Sequence, residues 1–196
     1  IKTMACGDIL DGCIRIENGK IAEIGKRDEV DFHPVSGERV IEIRKGIIMP
    51  GIIEAHCHMG ISEEKKGMEG DDCNETVDPM TPQLRAIDAI NTMDAAFDDA
   101  VRAGITSAMI GPGSSNVVGG QFVFLKTKGR RVDDLVVKAP AAMKVAFGEN
   151  PKVNYSGQGK SPSTRMAIAA MLREELTQAF SYEEKKRKAL QNGEDF

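Results

Sequence analysis

One stretch limits what this chain can fold into more than any other: Gly46-Ile-Ile-Met-Pro50-Gly51-Ile-Ile-Glu-Ala-His56-Cys57-His58-Met-Gly60. A Pro-Gly turn leads into the short apolar run Ile52-Ile53-Glu54-Ala55, and a glycine follows soon after, which is the pattern of a buried strand. Side chains two apart on a strand share a face. His56 and His58 therefore project together from the C-terminal end, and Cys57 points the other way. Two adjacent imidazoles suit a divalent metal such as zinc, but a catalytic zinc takes about three protein ligands and keeps one position open. The competing reading is a pair of strand-end histidines satisfied by backbone and water.

Composition narrows the class. The chain has 196 residues, 41% hydrophobic and 29% charged, with a net charge of −4. These are the proportions of an ordinary globular protein of one or two domains. The acidic balance and the lack of a basic face argue against a nucleic-acid partner. No apolar run approaches the roughly 20 residues that cross a bilayer, so no membrane partner is expected. Cys6, Cys13, Cys57 and Cys73 show no Cys-x-x-Cys spacing; small thiols in a reducing cytoplasm are the expectation.

Ahead of the histidines, Cys13–Ile16 and Ile21–Ile24 flank Asn18-Gly19, the signal of a tight hairpin. Val40, Ile41 and Ile43 resume strand character, and His33 in its turn-rich segment reads as an exposed bystander. After His58 comes the acidic stretch 62–82, either a lid or a solvated insertion. Thr81-Pro82 offers a helix start with Leu84, Ile87 and Ile90 at helical spacing. A second helix is predicted from Thr92, carrying Phe97 and Val101 and ending at Gly104. Ile105–Ile110 then reads as a second strand, which makes a βαβ unit with a parallel sheet. Gly111–Gly120 is glycine-rich, but it lacks the third glycine of a dinucleotide loop and the Gly-Lys-Ser/Thr of a P-loop. A rim role facing substrate is expected for it, with Asn116 and Gln121 as substrate-binding candidates. A third strand is expected near Ala142–Phe147 and a loop over Gly148–Pro162. A last helix, capped by Ser161 or Ser163, buries Ile168, Met171, Leu172 and Leu176 and pairs Glu184 with Lys188.

The segment Val40–Gly60 resembles the signature of the amidohydrolase superfamily of metal-dependent hydrolases, and within it the imidazolonepropionase-like enzymes. Ile14–Gly25 resembles the hairpin of the small β-domain that precedes the barrel in those enzymes. The resemblance implies an α/β fold, with residues 1–46 forming the N-terminal part of a composite β-domain (a small β-sandwich segment). Residues 47–196 would form the first strands and helices of a (β/α)8 TIM barrel, apparently truncated. It implies His56 and His58 as metal ligands, with zinc as the metal and iron or manganese as alternatives. It also implies hydrolysis or deamination of a small-molecule substrate at an amide or cyclic amide C–N bond by a metal-activated water. A carboxylated lysine or glutamate, two further histidines and an aspartate complete the family's site, and none can be assigned from this sequence. The chain is thus expected to need the remainder of a barrel and to form a homo-oligomer. A non-catalytic barrel that binds or scaffolds, or a small metal- or nucleotide-binding domain, stays open.

Overall fold

The computed structural model describes residues 1–30, 34 and 37–196, and two compact units divide at the Pro-Gly turn: Ile1–Gly51 and Ile52–Phe196. The expected loop around His33 lies outside the described residues.

In the first unit, strands β1 (Gly12–Glu17) and β2 (Lys20–Lys26) pair antiparallel. Asn18 and Gly19 both adopt positive φ, 51° and 74°, which is what a type I′ turn requires of its two central residues. The expected strand through Val40–Ile43 is not formed; those residues have no regular secondary structure and are exposed. An apolar alternation alone supplies no neighbouring backbone to pair with.

The second unit is built on one mixed sheet in the order β3 (Ile52–Cys57), β4 (Ile105–Ile110), β5 (Val118–Lys126), β6 (Val136–Val145). β3 and β4 run parallel, joined through helix α1 (Ala95–Arg102), as the βαβ pattern predicted. The next two pairings are both antiparallel. The expected third barrel strand is therefore the last strand of a meander, and β4 has hydrogen-bonded neighbours on both sides. The structure is mixed α/β and shows no closed barrel. One antiparallel strand between β4 and β6 leaves β3, β4 and β6 pointing the same way. Their C-terminal ends and the N-terminal end of β5 thus share one rim.

The core lies on one face of this sheet. Ala108 and Ile110 stand opposite Leu125 and Val123, and with Ile61, Ala86, Phe97 and Leu135 they form a buried cluster. α1 buries Phe97 and Ala100 and starts one turn later than Thr92. Its N-cap is Asp94, whose carboxylate accepts from the Ala96 N–H, and Gly104 follows its C-cap with φ +81°, as expected of a helix-ending glycine. The helix predicted from Thr81 is reduced to a single 3-10 turn, Ala86–Asp88. Its backbone is committed elsewhere: Thr81 N–H donates to Val118 O (2.9 Å), and Gln121 N–H donates to Leu84 O (2.7 Å). A backbone group bonded to β5 cannot also close a helical turn.

A one-turn helix α2 (Val132–Leu135) precedes β6. The expected loop after β6 contains helix α3 (Glu149–Ser156), which buries Pro151 and Tyr155. The last helix, α4 (Arg165–Asn192), is capped by Thr164, not by Ser161 or Ser163: the Thr164 hydroxyl accepts from Ala167 N–H at 3.1 Å. Three hydroxyl residues near one helix start cannot be ranked without the backbone geometry that aims one of them. Ile168 is buried against Val117 and Val118, with Met171 and Leu172 alongside, and Leu176 is exposed. Glu184 and Lys188 pair at 2.8 Å. Among the described residues no helix is long and apolar enough to cross a membrane.

Candidate metal centre

The site begins where β3 ends. Cys57 pairs with Ile110 and packs on the buried cluster, so its neighbour His56 projects from the opposite face. The register with β4 shifts between Glu54 and Cys57, an irregularity of the kind that re-aims side chains beside active sites. The rings of His56 and His58 lie edge to face with centroids 5.1 Å apart.

His58 is fixed by the backbone. Its Nδ1 lies 2.7 Å from Gly111 O. A carbonyl oxygen only accepts, so Nδ1 carries a proton, and in the neutral ring the lone pair is on Nε2. This is the arrangement that orients a metal-binding histidine.

His56 is more exposed. Its ring is 5.6 Å from that of Phe122, and its Nε2 lies 3.2 Å from Lys144 Nζ. Burial, then the charges of Lys144 and His58, push its pKa below the ordinary histidine value, with Glu54 opposing. At neutral pH its ring is the neutral form that a metal needs.

Period-two alternation explains the company. In the β5–β6 register Phe122 stands opposite Ala142 and Gly120 opposite Lys144, so Phe122 and Lys144 share a face, and it is the face of His56. Three inter-strand steps separate β3 from β6, about 14 Å in a flat sheet. The long Lys144 side chain and the His56 ring together bridge that distance and meet at 3.2 Å.

The residues present fit half of a metal site. Two neutral imidazole nitrogens at one strand end are good donors for zinc, iron or manganese. Among the described residues no group of three His, Cys, Asp or Glu comes together. Cys57 is turned away as expected; its thiol lies 3.8 Å from Met109 O, and burial raises its pKa.

The glycine-rich loop is not a phosphate cradle, because its own chain fills the space its glycines leave. A methyl group on Gly111 would overlap the Phe122 ring, and one on Gly113 would overlap the Asn74 amide. One on Gly119 would press on Lys144 at 3.2 Å.

Asn116 is buried at 1% exposure, its amide nitrogen bonded to Asp78 O (2.8 Å) and Thr81 Oγ1 (3.1 Å). Gln121 is half-buried and donates to Pro82 O at 3.1 Å. Gln121 ties the 78–82 segment to β5, and Asn116 ties it to the loop before that strand.

Lys144 was not singled out from the sequence, although it lies in the run expected to be a strand. Nothing in a sequence says that residue 144 meets residue 56.

No family model matches the chain. It is similar to a solved amidohydrolase from Thermotoga maritima MSB8, 36% identical with a TM-score of 0.79, over 93% of this chain and 46% of that one. It is 30% identical over 168 residues to amidohydrolase tasK of Hapsidospora irregularis, covering 79% of this chain and 17% of the relative. It is 42% identical over 60 residues to a dihydroorotase of Thermococcus kodakarensis, covering 31% of this chain and 13% of that protein. The chain spans less than half the length of each of these proteins. With that likeness over nearly all of its described fold, and with the His-x-His strand end at the head of the sheet, the chain belongs to the amidohydrolase superfamily.

Proposed function

We propose that this chain supplies part of a metal-dependent amidohydrolase that cleaves an amide or cyclic amide C–N bond of a small molecule, by hydrolysis or deamination. The observation that carries the reading is His58, held by Gly111 O with Nε2 free, beside the neutral ring of His56. The relatives named as deaminases and amidohydrolases support it. On this reading residues 1–46 belong to a composite β-domain and residues 47–196 to the opening part of a (β/α)8 barrel. The likeness to the solved amidohydrolase over 93% of this chain supports that placement.

His56 and His58 would hold a divalent metal, zinc in the first instance, through imidazole nitrogens, with Lys144 displaced from His56. When bound, such a metal polarises a carbonyl and lowers the pKa of a coordinated water. The chain's own contribution is orientation. Gly111 O fixes the plane and tautomer of His58, and Phe122 packs beside His56. Asn116 and Gln121 serve substrate through the 78–82 backbone they fix at the rim.

The experiment is a zinc or cobalt titration of purified protein. Replacing both His56 and His58 with alanine is expected to abolish binding, whereas Cys57→Ala leaves it intact; full occupancy in the double variant would refute the site.

Lys144 gives a second expectation. Its ammonium occupies the lone pair of His56 and repels a dication. Lys144→Met should therefore raise metal affinity, on the order of fivefold for about 1 kcal/mol of relieved repulsion in a wet site. Calorimetry reads this directly, and a fall in affinity would show instead that Lys144 donates to the metal.

A further inference from the structure

We infer that Asn74 is a positioning residue for His58. The inference deepens the metal reading and rests on it for its consequence. His58 owes its orientation to one carbonyl, that of Gly111, and Gly111 opens a loop with no regular secondary structure before β5. Something has to hold that loop.

Two bonds from the 73–74 segment do so. Gly113 N–H donates to Cys73 O at 2.7 Å, and Ser115 N–H donates to the side-chain Oδ1 of Asn74 at 2.9 Å. The Asn74 amide lies so close over Gly113 that no methyl group fits between them. Behind the loop, Gly111 N–H donates to Cys57 O at 3.2 Å, next to the histidine that it serves.

Asn74 is itself anchored, because side-chain donors reach the carbonyls of the residues that follow it. Tyr155 Oη donates its single proton to Asp78 O (2.7 Å), with Glu75 O 3.3 Å away. Gln158 Nε2 donates to Thr76 O (3.0 Å), and Lys160 Nζ donates to Val77 O (3.3 Å). The segment 75–78 is thus a fixed rail, and Asn74 is its end, touching the loop that aims His58. A short amide is needed there: its Oδ1 must accept a backbone N–H while its flat face covers a glycine.

The test uses the whole chain without metal, reading the ring nitrogens of His58 by long-range proton–nitrogen correlation at mildly alkaline pH. The unaltered protein should show the Nδ1–H tautomer. Asn74→Ala should convert most of it to Nε2–H and speed amide exchange at Ser115. Asn74→Asp keeps the acceptor and should retain the Nδ1–H form. In a parallel cobalt titration Asn74→Ala should lose about tenfold in affinity, the usual scale for a residue that orients a ligand.

The inference is overturned if Asn74→Ala keeps the Nδ1–H tautomer, or if Asn74→Asp loses it equally. Should Asn74→Ala fail to fold, Gly113→Ala, which forces the same amide away, must give the Nε2–H form; retention of Nδ1–H there overturns the inference as well. If the unaltered protein takes up no cobalt, the metal reading fails, and the tautomer result still decides the role of Asn74.

Discussion

Replacing Tyr155 with alanine is expected to cost about 3–5 kcal/mol of stability, the range for removing a large buried aromatic ring. Chemical denaturation would measure it. Tyr155 has no exposed surface, and its hydroxyl donates to Asp78 O at 2.7 Å in the 75–78 segment. Tyr155→Phe separates the two contributions: it keeps the ring and should cost only about 1 kcal/mol, the scale of one lost hydrogen bond.

The hydroxyl also sets an alkaline limit. Burial, then the charges of Glu75 and Asp78, push its pKa from the ordinary 10 up to about 12. Between those values the unfolded chain releases a proton that the folded chain keeps. Stability that is fully present below pH 10 therefore falls as pH rises through that window, by about 1.4 kcal/mol per unit at most. Tyr155→Phe should flatten this fall, and an unchanged alkaline slope would show that the hydroxyl does not titrate as described.

Gly111→Ala is expected to damage fold and site together. The added methyl group would overlap the Phe122 ring, which is 6% exposed and has little room to yield. Overpacking of this kind costs about 1–3 kcal/mol. The relief available is a shift of the loop, which takes Gly111 O away from His58 and should weaken metal binding by about tenfold or more. Trimming the obstacle should repair part of the loss. The double variant Gly111→Ala with Phe122→Ala is expected to be more stable than the sum of the single changes, as contacting residues are coupled. Additive losses would mean that the two residues do not meet.

The parts of the molecule legible in its sequence are those whose cause is local. Asn18-Gly19 specifies its own turn, and β4 emerges at Ile105–Ile110 because a glycine ends the helix before it. The shared face of His56 and His58 follows from strand periodicity. What was not legible depends on partners. Apolar runs at 121–125 and 142–147 announce strands without announcing their direction, so an antiparallel meander could pass for the next parallel strand. Leu84, Ile87 and Ile90 keep helical spacing, yet their segment gives its peptide bonds to β5. The glycine-rich loop gave no sign that the Asn116 amide bonds to Asp78 O and Thr81 Oγ1. Tyr155 sat in a stretch of glycine, asparagine and proline that reads as loop, and its burial comes from carbonyls some eighty residues upstream. Lys144 entered the site only because a reversed strand returned β6 to the rim of β3.

That reversed strand also bears on how the chain assembles. The connections between β4 and β5 and between β5 and β6 are short, residues 111–117 and 127–135, whereas β3 reaches β4 only across residues 58–104. Closing a long loop costs more chain entropy than closing a short one, and sequence-local pairings form faster. The meander is thus expected to nucleate, with β3 docking onto its finished edge. His56 and His58 would then meet Gly111, Phe122 and Lys144 in a late step of folding, so the histidine pair would be among the last features assembled and the first to come apart.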